Sequence, residues 1–179
     1  MKKIITQFAA LVLIVLLTSN VYASHVSGGE VYYKSLGNNQ FKVVLVNYWD
    51  CGSFDPGPSQ TMTTSNTCGL ANLNFTVNLD STFEISQVCP TAVTNCNGGT
   101  LPGNKKNVYS AIVTLPGACV NWTFEHTSCC RNTSTNVPAQ PSYDYYAMLN
   151  NVAAPDNNSP YFTSAPLPYL CVKIGRAHV

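Results

Sequence analysis

The stretch EVYYKSLGNNQFKVVLVNYWDC, residues 30–51, has the clearest structural pattern in the chain. Two segments rich in β-branched and aromatic residues, Val31–Lys34 and Gln40–Tyr48, lie on either side of the sequence LGNN. Such segments favour β-strands because their side chains pack well on a pleated surface. The glycine and the two asparagines of LGNN tolerate the positive φ angles that a tight turn requires. The stretch therefore predicts a β-hairpin.

Similar segments recur along the rest of the chain. Further strands are predicted at Asn72–Asn78, Thr82–Gln87, Val108–Leu115, Val120–His126 and Tyr143–Leu149. Loops rich in turn-forming residues are predicted at 52–67, 90–107, 132–142 and 150–160. Short strands separated by turns indicate an all-β fold, an antiparallel β-sandwich that is Ig-like or related.

The beginning of the chain is typical of a secretory signal peptide. Lys2 and Lys3 precede an apolar segment that is densest from Phe8 to Leu17, and small residues, Val21 and Ala23, follow it. This order predicts cleavage after Ala23, so that residues 1–23 are absent from the mature protein. The apolar segment is shorter than the roughly 20 residues of a membrane span. We therefore expect an exported protein with no membrane span after cleavage.

The last residues, KIGRAHV at 173–179, match the translation of a common sequencing adapter, and we interpret them as an assembly artefact. The expected single domain is then 24–172, and the natural chain is expected to continue beyond it. Removing both ends takes four of the nine Lys and Arg residues and none of the eight Asp and Glu residues, which leaves a formal charge of −3. A negative domain is not expected to bind nucleic acid or an anionic membrane.

All the cysteines lie inside the expected domain, and an even number in an exported chain indicates a framework of disulfides. They are Cys51, Cys68, Cys89, Cys96, Cys119, Cys129, Cys130 and Cys171. Cys89 and Cys96 lie on either side of one short segment, and Cys51 and Cys68 on either side of another. We expect these two local pairs and two longer links among the other four, although the spacing does not fix the pairing.

The sequence HTSCCRN, residues 126–132, raises the question of what two adjacent cysteines do. Their Cα atoms lie about 3.8 Å apart, below the usual disulfide span of roughly 4.4 to 6.8 Å, so a bridge between Cys129 and Cys130 is disfavoured. A zinc or redox site is expected to have CxxC pairs or several histidines. The sequence favours two structural disulfides, with Arg131 and Glu30 as polar residues that tie loops together.

The candidate ligand-contacting residues are aromatic. Trp49, Trp122, Tyr143, Tyr145 and Tyr146 are predicted as residues that could stack on sugar rings, although aromatic residues on strands more often belong to the core. No GxSxG or HExxH motif is present in the sequence, and histidine is scarce. We therefore expect neither an enzyme nor a protein that needs a metal or cofactor.

Four segments resemble the N-terminal region of large secreted surface proteins of the Bacteroidota. They are SHVSGGEVYY at 24–33, VNYWDC at 46–51, CCRN at 129–132 and NNSPYFTSAPLPYLCV at 157–172. Many such proteins carry tandem Ig-like or PKD-like domains and end in a gliding-motility-associated domain that directs type IX secretion. This sequence departs from the pattern at Trp49, where the family usually has arginine.

The resemblance implies a non-catalytic extracellular module of a multidomain protein, used in adhesion, gliding or surface architecture. Its expected partners are neighbouring domains of the same longer chain, or a surface glycan or protein. The alternative is a carbohydrate-binding module that uses exposed tryptophan and tyrosine. The implied location is the cell exterior or the outer surface.

Overall fold

The computed structural model describes residues 26–52, 55–89, 91–129, 142–164 and 166, with the backbone alone at 129. These residues form seven strands and one short 3-10 helix, and every strand pair is antiparallel. The strands are β1 (Val26–Gly37), β2 (Gln40–Asp50), β3 (Ser59–Ser65), β4 (Asn74–Glu84), β5 (Asn104–Thr114), β6 (Trp122–Cys129) and β7 (Ser142–Leu149), and the 3-10 helix is Asn95–Asn97. The predicted all-β antiparallel fold is confirmed.

The predicted hairpin is formed by β1 and β2. Gly37 pairs with Gln40, so only two residues connect the strands. Both of them have positive φ angles, 51° at Asn38 and 58° at Asn39. This is the geometry that matches the twist of the two strands, and asparagine adopts it at lower cost than most residues.

The strands are hydrogen-bonded in the order β1-β2-β5-β4-β3-β6-β7. Constant-type immunoglobulin domains place their first, second, fifth and fourth strands in one sheet and their third, sixth and seventh in the other. The order observed here is the same. It differs in that β3 also pairs with β4, so the two groups of strands form one continuous sheet that curls over on itself.

Two predictions about the strands are wrong. The segment 52–67, expected to be a loop, contains β3, whose sequence SQTMTTS is almost entirely polar. Met62 and Thr64 face the core, whereas the Ser and Thr residues between and beside them face solvent. This alternation is that of a half-buried strand. The strands predicted at 72–78 and 82–87 are one strand, β4, with a bulge between Leu79 and Ser81.

The core lies between the two groups of strands. The ring of Tyr33 on β1 contacts Phe41 on β2 and Phe124 on β6, with ring centroids 5.7 and 5.5 Å apart. Strand β2 is buried on both faces, since Val44, Val46 and Tyr48 form a second apolar cluster on the outside of the sheet. This explains why its sequence is an almost continuous apolar segment.

The residues that follow β7 cover the free edge of β1. The Ser159 N–H donates to the Tyr33 carbonyl at 3.1 Å, and the Tyr33 N–H donates to the Ser159 hydroxyl at 2.8 Å. The Asn158 side chain accepts from the Ser35 N–H at 2.8 Å. This segment, residues 156–164 and 166, is termed the exit segment below. It protects an edge that would otherwise expose unpaired backbone groups.

Because the strands alternate in direction, the molecule has two ends. At one end lie the Asn38–Asn39 turn and the loops 66–73 and 115–121; this is the turn end. At the other end of the molecule, strands β2, β4 and β6 end and strands β5 and β7 begin. This end is called the groove end.

The disulfides correct the expected local pairing. Cys51 is bonded to Cys96, and Cys68 is bonded to Cys119, with sequence separations of 45 and 51. The first joins two loops at the groove end and the second joins two loops at the turn end. Sequence spacing missed these pairs because loops that are distant in the chain are adjacent at the ends of an antiparallel fold.

Cys89 is also disulfide-bonded, to a partner outside the described side chains. The Cys129 backbone ends β6 at the groove end. Cys130, Arg131 and Cys171 lie outside the described residues, as does the side chain of Cys129. The proposed roles of HTSCCRN therefore stay predictions. No helix within the described part of the chain is long and apolar enough to cross a membrane.

Candidate functional site

A hydrogen bond between two strands organises the outer face of the sheet near the groove end. The Tyr48 hydroxyl on β2 donates to Glu30 Oε1 on β1 at 2.9 Å. The N–H of Phe162 in the exit segment donates to Glu30 Oε2 at 3.4 Å. Glu30 thus holds three parts of the chain together.

Burial raises the pKa of Tyr48 far above its ordinary value, and the hydrogen bond to Glu30 and the charge of that carboxylate act in the same direction. Burial is also the main cause that raises the pKa of Tyr32, with Glu30 again contributing. Both phenols therefore stay protonated at physiological pH. They can donate hydrogen bonds but cannot serve as bases there.

Beside this hydrogen bond lies a groove of about 480 Å³. Gly28, Tyr48, Ile85 and Pro166 form its apolar part, and Ser27, Asp50 and Asn104 supply polar groups. A second hollow of about 320 Å³, lined in part by Glu30 and Phe162, adjoins it through Gly29 and Tyr48. Apolar walls with a few polar groups in this size range are typical of binding sites for small groups.

The two glycines of SGGE serve different purposes. A Cβ at Gly29 would come within 2.5 Å of the Val46 carbonyl and 2.6 Å of the Tyr145 ring, so β7 could not pack there. A Cβ at Gly28 would lie 3.7 Å from the Tyr48 ring, an ordinary contact. Gly29 is therefore needed for packing, whereas Gly28 leaves space in the groove.

The exit segment brings exposed aromatic rings to the side of the groove. Tyr161 stacks on Tyr32 with ring centroids 5.3 Å apart, and Lys34 Nζ lies 5.2 Å from the centre of the Tyr161 ring. The neighbouring Phe162 is 73% exposed. Tyr161 and Phe162 belong to the segment NNSPYF but were not among the predicted ligand contacts.

Both predicted tryptophans belong to the core, which corrects the expectation that they contact a ligand. Trp122 is completely buried, and its indole N–H donates to the Gly117 carbonyl at 3.0 Å. Trp49 is 5% exposed and points inward from the end of β2. Neither indole has a free face for a sugar ring.

The predicted tyrosines on β7 divide according to the strand alternation. Tyr143 and Tyr145 face inward, with ring centroids 4.9 Å apart, and Tyr145 stacks on His126 at 6.4 Å. Tyr146 faces outward and is 62% exposed, beside the exposed Met148. Of the predicted stacking residues in the described structure, Tyr146 alone presents most of its ring to solvent.

The acidic and histidine side chains do not converge on a reacting centre in the described ranges. No group of three or more His, Cys, Asp and Glu side chains there is placed to hold a metal ion. Glu84 instead accepts hydrogen bonds from the Thr94 hydroxyl and the Asn97 amide, which fixes the loop that carries Cys96.

Comparison of the chain with protein-family models, with curated proteins and with solved structures finds no match. The resemblance to Bacteroidota surface proteins therefore rests on the quoted segments alone and stays a prediction.

Proposed function

We propose that this chain is a non-catalytic binding module of an exported, multidomain cell-surface or secreted protein. The groove beside Tyr48 would be its contact site, and a protein segment at the cell exterior its partner. The observation that carries the proposal is the open groove with its adjoining hollow, which the exposed Phe162 lines and beside which Tyr161 stacks on Tyr32. Aromatic residues are enriched where proteins meet, because they bury a large area with few rotatable bonds.

The disulfides support an exported location. One lies at each end of the described fold, and such bonds persist mainly in oxidising compartments. They also suit a module that must keep its shape between neighbouring domains, since each fixes two loops relative to each other. Export itself is tested by sequencing the N-terminus of the protein recovered outside the cell, with Ser24 as the expected first residue.

The binding role is tested with labelled protein and intact cells of the producing organism. Native protein should bind saturably, and Gly28→Val should weaken binding at least tenfold, because its side chain fills the groove where the backbone has room. Ser110→Val is the control: it places the same side chain on the outer face of β5 and removes only the exposed hydrogen bond from Ser110 to Asp80. Equal binding by all three proteins would remove the groove from the proposal.

Glycan binding is a separate outcome of the same test. The burial of Trp49 and Trp122 takes away two of the five residues on which the carbohydrate-binding alternative rested, and Tyr146 stays exposed. If the cell binding is lost after enzymatic removal of surface glycans, and Tyr161→Ala abolishes it, the partner is a carbohydrate rather than a protein. Binding that resists glycan removal and is lost on surface proteolysis supports the proposal as stated.

A further inference from the structure

Several buried polar atoms make no hydrogen bond of acceptable geometry to any described residue. They are Asn47 Oδ1, Trp49 Nε1, Asn107 Oδ1, His126 Nε2 and the Tyr143 hydroxyl oxygen, which lies near the Ser128 and Tyr145 side chains but outside hydrogen-bond geometry. Leaving a buried polar group unpaired costs about 1 to 3 kcal/mol, so native proteins rarely keep several of them without a binding partner.

All these atoms belong to the groove end. Asn47 is directly opposite Asn107 in the pairing of β2 with β5, and Trp49 follows two residues later on the same face of β2. Across the core, His126 near the end of β6 and Tyr143 at the start of β7 occupy the facing group of strands. The atoms come from four strands and both sides of the core.

Tyr145 connects the two sides. Its ring stacks on His126 and contacts the ring of Tyr143. The same ring lies so close to Gly29 that a Cβ there would be only 2.6 Å away, and Gly29 pairs with Asn47. The unpaired atoms therefore surround one region of the interior rather than separate sites.

The chemistry of the region favours an uncharged ligand that both donates and accepts. His126 Nδ1 lies 2.9 Å from the Thr61 carbonyl, which can only accept, so Nδ1 carries the proton and Nε2 of the neutral ring is an acceptor. The two amide oxygens are also acceptors, while the indole N–H is a donor and the phenol can be either. All these groups are neutral, so they would not offset the charge of a divalent cation.

We propose that these atoms bind ordered water molecules in the interior of the fold at the groove end. An internal water makes about three hydrogen bonds, so the five atoms would hold about two waters. Water supplies donors to the three acceptors and acceptors to the indole N–H and the phenol. These waters do not depend on the binding role proposed for the outer groove.

The test is a count of long-lived internal waters by oxygen-17 magnetic relaxation dispersion on the purified full-length protein. We expect at least two such waters in the native protein, since other internal waters would add to the count. Asn107→Leu should lower the count by at least one, because it removes one of the acceptors. Tyr143→Phe, which removes one oxygen and keeps the ring, should lower it too, and serves if Asn107→Leu does not fold.

The matched control is Asn151→Leu at the turn end. Asn151 is as buried as Asn107, at 2% exposure, but its oxygen accepts from the Cys119 N–H at 2.7 Å. Its replacement should leave the number of long-lived waters unchanged. A native protein without long-lived internal waters would overturn the proposal, as would equal losses in Asn107→Leu and Asn151→Leu.

Discussion

At the turn end, Asn151 accepts from the Cys119 N–H at 2.7 Å and donates to the Asn39 side chain at 3.1 Å. At the groove end, Asn107 is equally buried and donates to the Tyr109 hydroxyl at 3.2 Å, while its oxygen has no partner among the described residues. Both hydrogen-bonding groups of the buried asparagine side chain are therefore paired at the turn end, whereas the asparagine oxygen at the groove end has no described partner.

The tryptophans repeat this difference. The indole N–H of Trp122 donates to the Gly117 carbonyl, and that of Trp49 makes no hydrogen bond to a described residue. The comparison indicates that the buried polar groups of the turn end are paired directly, whereas the groove end holds unpaired polar atoms and the open groove.

The largest effect should come from truncating the tryptophans. Trp122→Ala should lower the free energy of unfolding by about 4 kcal/mol, because it leaves a large cavity and removes a hydrogen bond. Trp49→Ala should cost about 1 kcal/mol less, since it breaks no hydrogen bond to a described residue. Urea denaturation measures both losses of free energy, and equal losses would contradict the difference between the two ends.

Removing either disulfide should lower the free energy of unfolding by about the same amount. Cys51–Cys96 and Cys68–Cys119 have similar sequence separations, 45 and 51. The chain-entropy model therefore gives about 4 kcal/mol for each. The double Cys→Ala variants of each pair, compared by thermal and urea unfolding, test this. A much larger loss at one end would mean that the bond there also holds native contacts.

Replacing the two buried asparagines should lower the free energy of unfolding by different amounts. Asn151→Leu leaves the Cys119 N–H without its acceptor and should cost about 2 kcal/mol. Asn107→Leu removes one hydrogen bond, to the Tyr109 hydroxyl, which still donates to the Gly57 carbonyl, and a water proposed on the Asn107 oxygen can return to solvent. We therefore expect a loss below about 1 kcal/mol, measured again by urea denaturation. A greater loss for Asn107→Leu than for Asn151→Leu would contradict this difference between the two ends.

The smallest effect should be a dependence on pH at the groove end. Burial lowers the pKa of His126, and the hydrogen bond to Thr61 only partly opposes it. The unfolded chain then takes up a proton first as the pH falls, so the stability present above about pH 6.5 is lost below it. We expect the free energy of unfolding to fall as the pH is lowered from about 6.5 to about 5.

His126→Gln tests the cause of that dependence. This variant cannot take up the proton, so its free energy of unfolding should change less over the same range of pH. Asn151→Leu retains His126 and should keep the native slope. If the slope is the same with and without His126, the titrating group lies elsewhere.

The hairpin and the strand class were predictable because they depend on local chemistry. Gly37, Asn38 and Asn39 accept positive φ in any context, and β-branched residues favour strands wherever they occur. Strand β3 was not predictable in the same way, since only Met62 and Thr64 turn inward. Its polar sequence becomes a strand because β4 and β6 supply hydrogen-bonding edges on both sides.

The candidate site was predicted only in part. The segments SGGE, VNYWDC and NNSPYF were noted in the sequence, and the structure brings parts of all three together around Glu30 and Tyr48. The choice of tryptophan as the exposed aromatic residue was wrong. Side-chain type indicates that a ring can bind a ligand, but only the packing of the sheet decides which rings are buried.

The strand-rich class, the first turn and the presence of disulfides follow from the amino-acid sequence alone, because each depends on residue type and short-range geometry. The strand order, the disulfide pairs and the difference between the two ends follow only from the tertiary structure. These depend on which distant segments become neighbours when the sheet curls. Gly28 and Gly29 are adjacent and identical in the sequence, so residue type cannot tell them apart. In the structure Gly28 faces the open groove, and Gly29 packs against the ring of Tyr145.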